Sequence, residues 1–119
     1  MSASRRVQRV ERELREIVST CVVANYSSLL EGLVTVTRVE ASPDLRHAKV
    51  FLSMMSGEDE KKENLDLLAS EVKNIQHVIA KQLPMKFCPK ISFVIDRGFE
   101  KAQIIEQKLK EIKREGSED

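Results

Sequence analysis

Apolar residues recur along the chain with two different periods, which separate predicted helices from predicted strands. Over residues 4–24 they return every three or four positions, which predicts an amphipathic helix with Ser4 as its N-cap. Residues 64–83 and 98–113 show the same spacing, and Pro84 ends the second of these stretches. That second stretch fits either one helix or two shorter helices.

Three short runs have the composition or the alternation of β-strands. They cover residues 33–40, 47–54 and 90–96, and the first is rich in β-branched residues. Val39 is out of phase with the valines that precede it in the first run. We expect either a β-bulge near Arg38 or a strand that is partly buried on both sides.

The order of these elements predicts the fold class. The first two strands are joined through Ser42-Pro43-Asp44, whose residue types favour a type I turn and hence a β-hairpin. Helix, strand, strand, helical stretch, strand and helix then follow one another. We predict an α+β domain, with a small three-stranded sheet covered by helices on one face. Residues 1–113 form this single domain, and residues 114–119 are expected to be a flexible C-terminal tail.

Charge is distributed unevenly, although the net charge is only +1. Residues 57–72 carry two Lys/Arg and six Asp/Glu, whereas residues 73–99 carry five Lys/Arg and one Asp. Residues 1–56 carry eight Lys/Arg and six Asp/Glu. Two basic regions are therefore separated by an acidic one, and local clusters of cations are the feature that favours a polyanionic partner such as RNA.

Cations in four places are the candidate RNA-contacting residues. Arginines lie opposite the apolar face of the first helix, and Lys73, His77 and Lys81, spaced by four, point away from the apolar stripe of the second helical stretch. Others follow the hairpin turn or precede the last strand. The candidates are Arg5, Arg9, Arg12, Arg46, His47, Lys49, Lys73, Lys81, Lys86 and Lys90. An ordinary solvated surface is the alternative interpretation for each group.

No pattern in the sequence indicates catalysis, a cofactor or a metal. There is no glycine-rich phosphate loop, and His47 has no second ligand at a useful spacing. Cys21 and Cys88 lie apart in apolar runs, which predicts buried thiols in a reducing, cytoplasmic setting. No signal peptide or membrane-spanning run is visible. With four Phe, one Tyr and no Trp, base stacking is not predicted as the main mode of binding.

Three motifs, in order, resemble the ribosome-binding factor A family of bacteria. The stretch VTVTRVEASPDLRHAKVFLS (residues 34–53) is similar to the family's hairpin, with Val-Thr-Val-Thr, a Ser-x-Asp-Leu turn and Ala-x-Val on the return strand. RRVQRV (residues 5–10) resembles the start of its first helix, and PKISFVID (residues 89–96) resembles its last strand. The resemblance covers roughly residues 4–107.

The resemblance implies a type II KH-like RNA-binding domain, ordered helix-strand-strand-helix-helix-strand, plus a C-terminal helix. In this family an Ala-x-Gly kink between two helices replaces the Gly-x-x-Gly loop of KH domains. The corresponding residues here are Glu71-Val72-Lys73, which have neither the alanine nor the glycine. Either a kinked or a continuous helix is therefore expected at this position.

The resemblance also implies a function. Family members bind the free 30S small ribosomal subunit, assist late maturation of the 5′ end of 16S rRNA and support growth in the cold. They act in the cytoplasm beside other assembly factors, including GTPases, and they are not enzymes. A monomer is the default expectation. The alternatives are a protein-interaction adaptor that docks through its long amphipathic helices and, with less support, a small metabolic enzyme, which would need a ligand-shaped pocket.

Overall fold

The structure, a computed structural model, describes residues 4–117 and the side chains of residues 4–114. Along the chain it contains α1 (Arg5–Tyr26), β1 (Leu33–Ala41), β2 (His47–Met55), α2 (Glu58–Ser70), α3 (Val72–Gln82), β3 (Lys90–Ile95) and α4 (Arg97–Ser117). This order confirms the predicted α+β fold. Ser4 caps α1 as predicted, because its hydroxyl accepts a hydrogen bond from the Val7 amide at 3.1 Å.

The three strands form a mixed sheet in the order β1-β2-β3. β1 is antiparallel to β2, and β3 is parallel to β2, so α2 and α3 form the crossover that a parallel pair requires. On β2, Ala48, Val50 and Leu52 are buried against the helices, whereas His47 and Lys49 point to the opposite, open face. The core therefore lies on one face of the sheet.

A β-bulge in β1 explains why Val39 faces the core although it is three positions after Val36. The register between β1 and β2 shifts between Val36 and Arg38, which leaves Thr37 as the extra residue. Val36 and Val39 are consequently both buried in the core. The Thr37 hydroxyl donates to Asp96 Oδ2 at 2.8 Å, and Arg38 Nε donates to the same oxygen at 3.2 Å. The bulge thus joins β1 to the end of β3.

The second helical stretch consists of two helices that meet at Glu71. This residue has φ −98° and ψ 6°, between α2 and α3. Its Oε2 atom accepts hydrogen bonds from the Tyr26 hydroxyl at 3.3 Å and from Asn74 Nδ2 at 2.6 Å. The chain therefore breaks at the family's kink position without the Ala-x-Gly residues, and the break lies against the end of α1.

The turn of the β1–β2 hairpin is held by a buried leucine. Leu45 N donates to Ser42 O at 2.9 Å, which places Pro43 at the second position of the turn, as predicted. Leu45 has φ 59°, in the left-handed region that non-glycine residues seldom adopt. Its side chain is nevertheless buried in the core. Burial of this side chain offsets the backbone strain and fixes the turn on the body of the protein.

Helix α4 leaves the body after a well-anchored first turn. Asp96 Oδ1 accepts a hydrogen bond from Phe99 N at 3.1 Å and thereby caps the helix. Glu100 accepts from Met54 N at 2.8 Å and pairs with Lys61 Nζ at 2.7 Å. The predicted end at residue 113 is wrong, because α4 continues to Ser117; Arg114 and Glu115 favour this extension. Residues 118–119 of the predicted tail lie outside the described residues.

Candidate nucleic-acid interface

Three segments that are distant in sequence line an open groove at one end of the molecule. They are residues 4–7 at the start of α1, residues 43–47 in the hairpin turn and residues 84–90 between α3 and β3. The end of α1 contacts the start of α3, and the start of α1 shares the groove with the residues that follow α3, so the two helices are antiparallel. The start of β3 adjoins the start of β2, where Lys90 N donates to Arg46 O at 2.8 Å.

This groove collects cations from all three segments. Its exposed cationic side chains are Arg6, Arg46, Lys86 and Lys90, and the His47 side chain is exposed beside them. Asp44 is the acidic residue of the lining, and Arg46 Nε lies 3.9 Å from its Oδ2 atom. Hydrogen bonds from the Ser42 hydroxyl and from the Arg46 amide lower the pKa of Asp44, so it is ionised at neutral pH. It offsets one positive charge, and the groove keeps a positive balance.

The connection between α3 and β3 is fixed by one side chain of α3. Gln76 Nε2 donates to Pro89 O at 2.7 Å, and Gln76 Oε1 accepts from Ile91 N at 3.1 Å. The Pro89 side chain is fully buried. Lys90 therefore projects from a backbone that Gln76 holds on both sides of it, and Lys86 lies three residues before the buried proline.

The arginines of α1 form a ridge on the outer side of that helix. Arg5, Arg9 and Arg12 are exposed, as predicted, because the apolar face of α1 packs against the sheet and α3. Arg9 Nε forms an ion pair with Glu13 Oε1 at 3.3 Å. The ridge begins beside the groove and runs away from it along α1.

The remaining candidates lie on other surfaces. Lys49 is on the open face of the sheet, between Glu40 of β1 and Ser92 of β3 in the strand register. Lys81 is exposed in the last turn of α3, whereas Lys73 is exposed in its first turn, at the end of the molecule away from the groove. Four of the ten candidates thus line one groove, and the others are distributed over α1, α3 and the open face.

Most of these cations have no acidic partner. Within residues 4–114, ion pairs engage two of the ten candidates, Arg9 and Arg46, and both of these arginines are largely exposed. Pairs this exposed contribute little, and they do not prevent contact with another anion. The positive charge of the groove and of the ridge is therefore available.

Two exposed groove residues that have the chemistry to contact RNA, Arg6 and Phe87, were not among the sequence candidates. Arg6 lies beside the predicted ridge, but its place in the groove depends on the meeting of the three segments. Phe87 is exposed between Lys86 and Cys88, and the Lys86 Nζ atom is 5.7 Å from the centre of its ring. An apolar ring inside the basic run PMKFCPK was the sequence signal that could have identified it.

The residues that the structure describes form neither a candidate metal site nor a membrane-spanning helix. Among residues 4–117, no cluster of three or more His, Cys, Asp or Glu side chains is placed to hold a metal ion. In the same residues, no helix has both the length and the apolar character needed to cross a bilayer. Cys21 is buried, as predicted, and Cys88 is half-buried in the groove lining.

A model of the family described as ribosome-binding factor A matches residues 6–109 of the chain. The chain belongs to the ribosome-binding factor A family. Ribosome-binding factor A of Bdellovibrio bacteriovorus is 38% identical over 115 residues, which cover 97% of this chain and 86% of that protein. These matches confirm the resemblance of the hairpin, the first helix and the last strand.

Solved structures of the same family share the fold. The crystal structure of ribosome-binding factor A from Thermus thermophilus has a TM-score of 0.67 at 21% identity, covering 76% of this chain and 96% of that one. A homology model of the Thermus ribosome-binding factor A, fitted into a cryo-electron microscopy map of its 30S complex, has a TM-score of 0.62 at 21% identity. It covers 75% of this chain and 93% of that one.

Proposed function

We propose that this protein is a ribosome assembly factor that binds the free 30S small subunit through cationic contacts to 16S rRNA. Membership of the family supports this role, as does the 30S complex of the Thermus relative. The observation that carries the RNA-contact assignment is the groove in which α1, the hairpin turn and the α3–β3 connection bring four cations and His47 together. RNA is the polyanion that a small subunit offers to such a groove.

The proposed contacts fall into a centre and a periphery. Arg46, His47, Lys86 and Lys90, together with Arg6, form the centre because they line one groove. The ridge on α1 continues the positive surface from the same end. Lys49, Lys81 and Lys73 are the peripheral candidates, and Lys73 is the most distant. Contacts from lysine and arginine to phosphates carry no sequence information, so the proposed recognition rests on the shape and charge of folded rRNA.

The proposed mechanism is non-catalytic. The bound protein stabilises one conformation of the rRNA, which assists late maturation of the 5′ end of 16S rRNA. This proposal places the protein in the cytoplasm, acting as a monomer beside assembly GTPases and other maturation factors, with its greatest importance in the cold. At low temperature, misfolded RNA helices rearrange slowly, so a protein that favours the correct conformation has its largest effect there.

Cosedimentation at several salt concentrations tests the proposal. The protein should sediment with free 30S subunits and not with complete ribosomes. The Arg46→Gln/Lys86→Gln/Lys90→Gln variant should bind more weakly, and its salt dependence should flatten by about three units, one for each lost phosphate contact.

A variant with an equal change of charge outside the groove is the matched control. Lys62, Lys108 and Lys110 are exposed on α2 and α4, and their triple change to Gln should leave 30S binding nearly unchanged. Equal losses in both triple variants would contradict a groove-specific contact. An Arg5→Gln/Arg9→Gln/Arg12→Gln variant tests the ridge in the same way.

The exposed apolar face of α4 favours a second function, docking to a protein partner. Ile105, Leu109 and Ile112 share this face and are between 50% and 64% exposed. If an Ile105→Glu/Leu109→Glu variant loses 30S binding while the groove variant keeps it, contact through a ribosomal protein replaces contact through RNA as the main mode.

A further inference from the structure

Phe87 occupies an unusual position for a large apolar side chain. It is 76% exposed, the highest value among the large apolar side chains that the structure describes. Exposure of a phenylalanine forgoes the stabilisation that burial of its large apolar surface gives. The ring also stands in the lining of the basic groove, beside Lys86 and Lys90.

The backbone around Phe87 is fixed, so its exposure does not come from a loose loop. Pro89 is fully buried two residues later, and Cys88 is half-buried. Gln76 bonds to the chain on both sides of Lys90, at Pro89 O and at Ile91 N. Two residues before Phe87, Met85 is half-buried against the core. The ring is thus presented to solvent by a connection that is held at either end.

The surroundings of the ring match the chemistry of a single nucleotide. A base stacks on a flat apolar ring, and its phosphate, which is one sugar away from the base, pairs with cations. Lys86 Nζ lies over one face of the ring, 5.7 Å from its centre, so a base would stack on the other face, and Arg46, His47 and Lys90 line the same groove. A base inside a duplex is already stacked on its neighbours, so this ring adds affinity only for an unpaired base.

We infer that Phe87 stacks on an unpaired base of the RNA whose phosphates contact the groove cations. This inference rests on the proposed function and makes it more specific, because it selects a single-stranded or bulged segment of rRNA as the partner of the groove. Phosphate contacts alone bind duplex and single strand alike. With Phe87, the groove distinguishes between them.

A Phe87→Trp variant tests the stacking directly. The chain contains no tryptophan, so the new indole is the sole one and reports on its own surroundings. Titration with a single-stranded oligoadenylate should quench its fluorescence, because a stacked base quenches indole. An abasic oligonucleotide of equal length and charge, and a duplex RNA, should bind without this quenching. Equal quenching by the abasic strand would overturn the inference, as would oligoadenylate binding without quenching.

The contribution to affinity is tested with substitutions that preserve the fold. Phe87→Leu should weaken binding of the oligoadenylate about tenfold, whereas Phe87→Tyr, which keeps the ring, should stay within about twofold of the wild type. Duplex binding and the urea midpoint should be unchanged for both, since the side chain is exposed. Val23→Ala, at an exposed apolar position on α1, is the matched control and should change nothing. Equal weakening by Phe87→Leu and Phe87→Tyr would contradict a stacking role.

Failure of the inference and failure of the proposed function give different results. If wild-type protein does not sediment with free 30S subunits, the proposed function fails. If it does sediment, but oligoadenylate does not bind or leaves the indole unquenched, only the stacking assignment fails. Quenching by an acidic peptide in place of oligoadenylate would likewise overturn the assignment and would indicate a protein partner for the groove.

Discussion

Helices α1 and α4 are similar in length and pattern, yet they have opposite environments. They contain 22 and 21 residues, and both repeat apolar side chains every three or four positions. α1 buries seven residues, from Val7 to Tyr26. On α4, Ile105, Leu109 and Ile112 are at least half exposed. The comparison shows that an amphipathic pattern defines a face of a helix but does not say whether the fold provides a surface to cover it.

The difference follows from where the two helices are attached. α1 lies across the sheet, and Glu11 in its second turn accepts a hydrogen bond from the Ala41 amide at 2.8 Å. Its last residue, Tyr26, bonds to Glu71 at the break between α2 and α3. α4 begins only after β3 has ended, and the structure anchors its first turn through Asp96 and Glu100. Beyond that turn α4 projects, and the molecule measures 62 × 36 × 20 Å.

Truncation of one leucine in each helix gives the largest predicted contrast. Leu14→Ala should lower the free energy of unfolding by about 2–5 kcal/mol, because Leu14 has no exposed surface in α1. Leu109→Ala, at a position that is 57% exposed in α4, should change it by less than about 0.5 kcal/mol. Urea unfolding measures both. Similar losses would mean that the apolar face of α4 is covered in solution.

Removal of the anchor of α4 should have the next largest effect. Glu100→Ala leaves the ammonium group of Lys61 partly buried without its 2.7 Å partner and leaves the Met54 amide without its acceptor. We expect a loss of about 2 kcal/mol in unfolding free energy.

A double variant separates the ion pair from the packing around it. Lys61→Met/Glu100→Leu replaces both charges with apolar groups, and it should recover much of the loss, because no unpaired charge is left. If the double variant is as unstable as Glu100→Ala alone, the unpaired lysine is not the cause.

The N-cap of α4 provides a prediction about pH. Burial raises the pKa of Asp96, but hydrogen bonds from the Phe99 amide, the Thr37 hydroxyl and Arg38 outweigh it, so the pKa lies below its usual value. Asp96 therefore stabilises the folded state above its unfolded pKa of about 4, and this contribution is lost as the pH falls through its folded pKa. Asp96→Asn should cost about 1 kcal/mol at pH 7.

Unfolding measured from pH 7 to pH 2 checks the sign. The difference between wild type and Asp96→Asn should be constant above about pH 4 and should shrink below it. A difference that grows in acid would contradict the assignment of Asp96 as the ionised partner of Arg38.

The smallest predicted effect concerns the end of α1. Tyr26→Phe removes the 3.3 Å hydrogen bond to Glu71 but keeps the buried ring. We expect a loss of about 0.5 kcal/mol, at the low end for a hydrogen bond, because this one is long. Ser28→Ala, at an exposed position, is the control for removal of a hydroxyl and should be neutral. A loss of several kcal/mol would show that the contact between α1 and the helix break is stronger than its geometry indicates.

Much of the fold could be predicted, because it depends on local patterns. The helical spacing, the capping residue Ser4, the turn around Pro43 and the bulge near Arg38 are all encoded within a few residues. The break at Glu71 could not be decided in this way, because the helical spacing continues through it and its partner Tyr26 is distant in sequence. Asn64 was missed for the same reason. It is buried, and its side chain bonds to the amide and the carbonyl of Glu31 at 2.8 and 2.9 Å.

The candidate interface was predictable residue by residue but not as a surface. Charge and periodicity correctly identified exposed cations such as Arg46 and Lys90. The groove that unites them depends on the parallel pairing of β3 with β2 and on the antiparallel packing of α1 and α3. No short-range pattern contains that arrangement, so Arg6 was omitted and the remote Lys73 was included.

The extra residue in β1 also determines which single deletion the hairpin can accept. Deletion of Thr37 would restore strict alternation without changing the register, because Val36, Arg38 and Val39 already lie opposite Leu52, Phe51 and Val50. Deletion of one residue elsewhere in β1 would turn core side chains on one side of the gap to water. We therefore expect relatives whose β1 is shorter by one residue to lack the bulge, together with the hydroxyl that bonds to Asp96.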